Sequence, residues 1–184
     1  MAIALYCTYW KDHKPINAMK DEILNRFDKT TDELIELLTP LTQEQLNKVP
    51  FENSWTAGQV GDHLCKSYDA AGVLNGNVKA ADRVPDEKLG EVNKLFLDFT
   101  IKMQSPQEIL PTNDAINKGN LLTALKTRIA SLREVIINKD LTKICLDYAI
   151  PGFGEFTRME WIGFITVHTQ RHIHQLKNIS SKIN

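Results

Sequence analysis

The carboxyl-terminal part of the sequence contains two histidines, His168 and His172, that are four residues apart. On an α-helix this spacing separates two side chains by about 40° and one turn, so both imidazoles can reach one metal ion. His63, in the middle of another expected helix, can supply a third imidazole, because helical bundles build metal sites from side chains on facing helices. The pattern predicts one divalent transition metal bound by three histidines. The alternative is that all three are ordinary polar or core side chains.

A site of this composition is suited to catalysis. Structural zinc sites are closed by four protein ligands, whereas three histidines leave at least one coordination position for another molecule. Neutral imidazoles also leave the ion its full positive charge, which lowers the pKa of a bound thiol or water. The identity of the metal is undecided among Zn, Ni, Fe and Mn, and Cu also suits imidazole ligands.

Three further side chains are candidates to support this site. Gln175 lies seven residues after His168 and hence on the same helix face, where it can hydrogen bond to a ligand histidine. Trp161 lies seven residues before His168 and is expected to pack in the core, with the wall of a pocket below the metal as its alternative position. Gln59, one turn before His63, is a further candidate for the pocket.

Other residues of suitable chemistry fit the site less well. His174 lies about 200° around the helix from His172, and His13 lies in the amino-terminal segment. Cys65 is interpreted as a small core residue rather than a ligand or nucleophile. Thr169 occupies the position at which metalloproteases of the H-E-x-x-H type have their general-base glutamate, so protease chemistry is not expected.

Composition limits the expected partners and compartment. The 184 residues carry a net charge of -1, from 22 basic and 23 acidic side chains, which indicates neither a nucleic-acid partner nor an anionic membrane. The length is typical of a single domain spanning 1–184. The cysteines, Cys7, Cys65 and Cys145, do not have the pattern of a disulfide framework, and no segment has the roughly 18 apolar residues of a membrane span. Because the amino terminus does not resemble a signal peptide, the expected location is the cytoplasm.

Hydrophobic periodicity predicts an all-α four-helix bundle. Its long helices are expected at 17–38, 56–74, 120–138 and 157–180, with a helical turn at 42–47, a further helix at 87–99 inside a long connection over 77–119, and a loop at 146–156. Capping-box patterns support the starts of the second and fourth long helices. The fourth helix is apolar nearly all round, which predicts burial on more than one side and a symmetric homodimer.

Three segments resemble the DinB-like (YfiT-like) superfamily of metal-dependent four-helix bundles. They are residues 55–64 (WTAGQVGDHL), residues 104–112, and residues 153–175 with the H-x-x-x-H pattern, which is the most specific of the three. The likeness begins near residue 18 and covers most of the chain. It implies one histidine ligand from the second long helix and two from the fourth, in agreement with the three named above, and it also implies a homodimer.

The resemblance leads to three hypotheses of function. Some relatives transfer low-molecular-weight thiols such as bacillithiol or mycothiol, so the first hypothesis is a metal-dependent thiol S-transferase acting on a small electrophile. The second is a metal-dependent hydrolase, and the third is a non-catalytic metal-binding or interaction protein. No carboxylate or further histidine is clearly placed as a general base, which disfavours hydrolysis. A thiol cosubstrate needs less help from protein bases, which favours the transferase.

Overall fold

The amphipathic segments of the sequence form a four-helix bundle in a computed structural model that describes residues 15–183. In chain order its elements are α1 (Ile16–Leu38), α2 (Gln43–Asn47), α3 (Ala57–Ser67), α4 (Ala71–Asn75), β1 (Val78–Lys79), α5 (Leu89–Phe96), α6 (Lys118–Asn138), β2 (Ile144–Cys145) and α7 (Arg158–Ile183). Turns of 3-10 helix lie at Tyr68–Ala70 and Gln107–Ile109. The long members of the bundle are α1, α3 with its continuation α4, α6 and α7, which confirms the expected fold class.

Helix α7 has the most extensive contacts in the bundle. It packs against α1 along much of its length and also contacts α5 and α3, while α6 packs against α3 and α1. Most of its residues are buried, on every side in the first half of the helix. This agrees with the expectation that a helix apolar nearly all round is covered by more than one neighbour.

Two capping boxes define where the helices that carry the histidines begin. Thr56 Oγ1 accepts from Gln59 N at 3.1 Å, and Gln59 Oε1 accepts from Thr56 N at 3.0 Å. Thr157 Oγ1 accepts from Glu160 N at 3.1 Å, and Glu160 Oε2 accepts from Thr157 N at 2.9 Å. Both boxes satisfy helix N–H groups that would otherwise lack a partner, and both confirm the starts predicted from sequence.

The second long helix is not continuous over 56–74, as the periodicity had predicted. Helix α3 ends at Ser67, a 3-10 turn follows, and α4 then runs to Asn75. The change coincides with Tyr68, whose fully buried hydroxyl lies 2.8 Å from Thr169 Oγ1 on α7. A buried phenol needs such a partner, so this long-range hydrogen bond favours the tighter turn over a regular helix.

The helix predicted at 87–99 is shorter, since α5 ends at Phe96. Arg171 on α7 donates to the carbonyls of Phe96 and Asp98 at 3.2 and 2.9 Å, and also to that of Ile101. Asp98 Oδ1 in turn accepts from both the N–H and the hydroxyl of Thr100. These bonds replace the ones that another helical turn would make.

The long connection over 77–119 wraps the bundle, as expected, and is held by polar contacts. Strand β1 pairs antiparallel with β2, with Val78 opposite Cys145. Glu160, fully buried at the start of α7, accepts from Arg83 at 2.5 and 2.7 Å and from Lys88 N at 2.9 Å. At Gly163 an added Cβ would clash with Leu89, so the glycine allows α5 to lie close to α7.

Within residues 15–183, no helix has both the length and the apolar character required to cross a membrane.

Candidate metal centre

The structure brings three imidazoles together between α3 and α7. His63 comes from α3, and His168 and His172 come from successive turns of α7. His168 Nε2 lies 3.1 Å from His63 Nε2 and 3.1 Å from His172 Nε2, and the ligand nitrogens of all three residues lie within 4.8 Å of one another. His63 is 1% exposed, and the other two are 8% exposed. The cluster is therefore almost fully enclosed.

Carbonyl oxygens orient two of the three rings. His63 Nδ1 donates to the backbone carbonyl of Ile109 at 2.8 Å, and His172 Nδ1 donates to Gln175 Oε1 at 2.8 Å. In a neutral imidazole with its proton on Nδ1, Nε2 carries a lone pair. Both rings therefore direct an unprotonated nitrogen at the centre of the cluster, which is how histidine ligands are held in metalloproteins.

Counting protons shows that hydrogen bonds between the rings do not account for the cluster. With Nδ1 of His63 and of His172 protonated, only His168 Nε2 can carry a hydrogen toward the other two rings. One hydrogen can serve one of the two 3.1 Å contacts, so the other contact would place two lone pairs against each other. A cation at the centre accepts electron density from all three nitrogens and removes this repulsion.

The spacing of the nitrogens also fits a transition metal. Nitrogens bound at 2.0–2.1 Å in a tetrahedral zinc site lie about 3.3 Å apart, which is close to the two 3.1 Å separations. Imidazole is a suitable ligand for several divalent metals. The residues present therefore fit one divalent ion, whose identity the nitrogens alone do not select.

Burial keeps the three rings in the neutral form that a metal requires. Burial lowers the pKa of His63, partly offset by the hydrogen bond to Ile109. It lowers the pKa of His168 well below its usual value, with the neighbouring histidines adding to the effect. It lowers the pKa of His172 to about 3. Charged imidazoles are poorly solvated in this environment, so the nitrogens stay available as ligands through the neutral pH range.

Side chains of α3 hold the loop whose carbonyl orients His63. Gln59 Nε2 donates to Thr112 O at 3.1 Å, Asp62 Oδ2 accepts from Thr112 N at 2.9 Å, and Lys66 Nζ donates to Leu110 O at 2.6 Å. With its Oε1 used in the capping box, the Gln59 amide supports this loop rather than a ligand ring. The role of the Ile109 carbonyl has no signal in the sequence, because any residue type supplies a carbonyl.

Three aromatic rings surround the histidines. The ring centroid of Trp55 lies 5.2 Å from that of His63, and Phe96 and Phe164 lie 6.0 and 5.9 Å from His168. Sequence reasoning did not assign these three residues to the site. The position of Trp55 could have been inferred from the sequence, because it directly precedes Thr56, the capping residue of the helix that carries His63.

The remaining candidates lie away from the nitrogens. Trp161 is 4% exposed and packs on Phe164, which stacks on His168, so it lies behind the aromatic layer next to the histidines. His174 points elsewhere and stacks on Phe99, with centroids 4.1 Å apart. Cys65 is buried, and burial raises the pKa of its thiol, in keeping with a core residue. His13 and Cys7 lie outside the described residues.

Fold and site together define a class of protein, a four-helix bundle with a cluster of three histidines between two of its helices. The chain belongs to the DinB superfamily, whose family model matches residues 26–176. It is similar to the uncharacterized protein YuaE of Bacillus subtilis (strain 168), with 31% identity over 157 residues that cover 79% of this chain and 90% of YuaE.

Among solved structures the chain is similar to YfiT from Bacillus subtilis, with a TM-score of 0.57 and 16% identity. The match covers 93% of this chain and 90% of YfiT, which is described as a probable metal-dependent hydrolase with an unusual four-helix bundle topology. At this level of identity the likeness establishes the shared fold.

Proposed function

We propose that the chain is a metal-dependent enzyme in which His63, His168 and His172 bind one divalent ion and leave at least one position for a small molecule. The observation that carries the proposal is the convergence of the three Nε2 atoms, two of them oriented through Nδ1 by carbonyl oxygens. A divalent ion held by neutral imidazoles lowers the pKa of a coordinated thiol or water. The description of YfiT as metal-dependent also supports the proposal.

The surrounding residues each have a task in this proposal. Ile109 and Gln175 keep the protons of His63 and His172 on Nδ1. Trp55 and Phe96 shield the imidazoles from water, and in such surroundings electrostatic interactions are stronger than in bulk solvent. The chain thereby holds the Nε2 atoms of His63 and His172 unprotonated and in place before any substrate binds.

The first reaction that we propose is transfer of a low-molecular-weight thiol to a small electrophile. The thiol proton passes to solvent and a carbon–sulfur bond forms. With a haloarene the halide departs with the bonding electrons, and with an epoxide the ring oxygen keeps them and takes up a proton from solvent. The carboxylates nearest in sequence to the histidines are engaged elsewhere, Asp62 with Thr112 N and Lys66, and Glu160 with Arg83 and Lys88. A thiolate needs no strong protein base, so this arrangement favours thiol transfer.

The second candidate reaction is hydrolysis, for which the description of YfiT as a metal-dependent hydrolase is the specific support. It uses water in place of the thiol at the same position. A non-catalytic metal-binding protein is the third alternative, and it predicts metal uptake without turnover.

To test the proposal, the metal-free chain is reconstituted with one divalent metal at a time, and the loss of substrate is measured with and without a thiol. The substrates are a haloarene, an epoxide and an ester, and His168→Ala is the inactive control. Thiol-dependent loss of the haloarene or epoxide supports the transferase, and thiol-independent loss of the ester supports the hydrolase. Metal binding with no turnover would leave only the binding protein, and failure to bind any divalent metal would contradict the proposal as a whole.

A further inference from the structure

Trp55 is an aromatic side chain in contact with two of the three histidines. Its ring centroid lies 5.2 Å from that of His63, with the planes at 47°, and 6.3 Å from that of His172, with the planes at 14°. These distances are in the range of favourable aromatic pairs. The indole is therefore nearly parallel to the His172 ring and lies directly beside the nitrogen cluster.

Trp55 remains only half-buried in this position. Trp161 differs in this respect, because it packs among Phe156, Phe164 and Tyr148 and is 4% exposed. Part of the Trp55 side chain is thus exposed, and its ring lies next to that of His172, one of the two candidate ligand histidines that are themselves slightly exposed. Trp55 thus packs against the edge of the core and keeps part of its side chain exposed beside the histidines.

The chain on both sides of the cluster presents apolar groups. Phe96, also half-buried, contacts His168 from the side of α5, and Leu97 after it is exposed. Leu110, which follows the residue that accepts from His63, is exposed as well. Partly exposed apolar side chains therefore lie beside the cluster, and the charged side chains of Asp62, Lys66 and Arg171 are also near it.

We propose that Trp55 is a specificity-determining residue, and that the exposed part of its side chain binds a planar apolar group attached to the metal-binding atom of the substrate. The inference rests on the proposed metal centre and adds the class of substrate. A planar group stacked on an indole gains dispersion and buries apolar area, whereas a small polar ligand gains neither. Substrates with an aromatic or conjugated group next to the coordinating atom should therefore be preferred.

The test uses two hydroxamates, because both chelate a metal through the same atoms. Acetohydroxamate carries a methyl group, and benzohydroxamate carries a phenyl ring. Their dissociation constants are measured by calorimetry on the zinc-loaded chain and on Trp55→Ala, Trp55→Phe and the matched control Trp161→Phe, after zinc content has been determined for each.

We expect the wild-type chain to bind benzohydroxamate on the order of tenfold more tightly than acetohydroxamate. In Trp55→Ala the dissociation constants of the two hydroxamates should agree within about twofold. Trp55→Phe, which keeps a flat ring, and Trp161→Phe, which changes an indole away from the cluster, should both keep the preference. If Trp55→Ala does not fold, Trp55→Leu replaces it, since leucine keeps apolar bulk without a flat ring.

An unchanged preference in Trp55→Ala or Trp55→Leu, or equal binding of both hydroxamates by the wild-type chain, overturns this inference while leaving the metal centre intact. Failure of the wild-type chain to bind zinc or any other divalent metal overturns the proposed function and this inference with it. The two failures are distinguished by the metal content.

Discussion

His168 occupies the central position in the cluster, because its Nε2 is 3.1 Å from the Nε2 atoms of both His63 and His172. Removal of any of the three nitrogens leaves two ligands, too few for a tight site. The fourth histidine of the described residues, His174, stacks on Phe99 and serves as an internal comparison.

Alanine at His63, His168 or His172 is expected to weaken zinc binding by more than about 100-fold, because loss of a ligand should exceed the 10–100-fold effect typical of its hydrogen-bond partners. Competition titration with a chromogenic chelator measures the affinity. His174→Ala should bind zinc as the wild type does. Full affinity in His168→Ala, or its loss in His174→Ala, would show that the ligands are assigned wrongly.

Gln175 is expected to act on the metal through His172. Gln175→Leu removes the acceptor of His172 Nδ1–H and should lower zinc affinity about 10–100-fold. Gln175→Glu keeps an acceptor oxygen and should bind nearly as well as the wild type. Gln170→Leu is the control on the same helix, since that amide bonds to Arg26 and Thr30. Equal zinc affinity of Gln175→Leu and the wild type would show that Gln175 does not act on the metal through His172.

At the scale of elements, a buried ion pair holds the long segment over residues 77–119 against the start of α7. Glu160 is fully buried and bonds to Arg83 through both oxygens, and its other partners are Lys88 N and Thr157 N. The same carboxylate is thus both part of the capping box and the anchor of the connection that leads into α5. Helix α5 in turn carries Phe96 to its position against His168.

Arg83→Met should lower the free energy of unfolding by about 3–5 kcal/mol, because it leaves the Glu160 charge buried without its partner. The double variant Arg83→Met/Glu160→Gln should recover part of the loss, since no buried charge remains. Urea unfolding followed by circular dichroism measures both. Arg128→Met, which removes an exposed ion pair with Asp69, should change stability by less than about 1 kcal/mol. A similarly small effect of Arg83→Met would show that the buried pair is not a determinant of stability.

For the whole molecule, the buried histidines predict how stability depends on pH. Burial lowers the pKa of all three in the folded chain, whereas in the unfolded chain they titrate near their usual value of about 6.5. Above that pH they are neutral in both states and have no effect. Below it the unfolded chain binds protons that the folded chain does not, so the free energy of unfolding falls by about 1.4 kcal/mol per pH unit for each histidine, until the pH reaches the folded-state pKa.

Urea unfolding of the metal-free chain at pH 7.5 and 5.0 tests whether the free energy of unfolding is lower at the lower pH. The metal-free chain should remain helical at pH 7.5, because its core of buried leucines, isoleucines and aromatics does not depend on the ion. His172→Gln should show a smaller difference between the two pH values than the wild type. Equal stability of the wild-type chain at both values, or greater stability at pH 5.0, would contradict the prediction.

Assembly is the second expectation at this scale. Helix α7, whose apolar surface led to the prediction of a homodimer, is covered within the chain by α1, α3 and α5, so the groove that suits an interface lies on another face of the bundle. The groove lies between α1 and α6 and has an apolar floor formed by Ile35, Ile129 and Ala130. Asp32 and Glu36 line its α1 side, and Lys126 and Arg133 line its α6 side, where Arg133 also pairs with Asp28 of the same chain. Across a two-fold axis the acidic edge of one chain can face the basic edge of the other.

We therefore expect a homodimer with α1 and α6 at the interface. Sedimentation at tens of micromolar should give twice the monomer mass, and Ile129→Glu should shift the equilibrium to the monomer because it places a charge on the apolar floor. Ile137→Glu, at an exposed position near the end of the same helix, is the control and should remain dimeric. A wild-type chain that sediments as a monomer would contradict the expectation.

The features that the sequence determined by itself are local ones. Helix periodicity, the capping boxes at Thr56 and Thr157, and the pairing of His168 with His172 all depend on residues within one or two turns of each other. Their physical causes are the spacing of side chains on a helix and the hydrogen bonding of nearby N–H groups. Both causes act only between residues that are close in sequence. His63 was identified as a candidate from its place on an apolar helix face and from the family resemblance. Only the tertiary structure shows that it lies beside His168 and His172.

Only the tertiary structure decided the features that depend on distant partners. The break after Ser67 accompanies a hydrogen bond from Tyr68 to Thr169, and the early end of α5 follows from carbonyls that Arg171 takes as acceptors. The Ile109 carbonyl on His63 and the Trp55 ring beside His172 likewise join parts of the chain that are far apart in sequence. Such contacts form only when the packed helices bring these groups within bonding distance, and no local pattern of residue types encodes that distance.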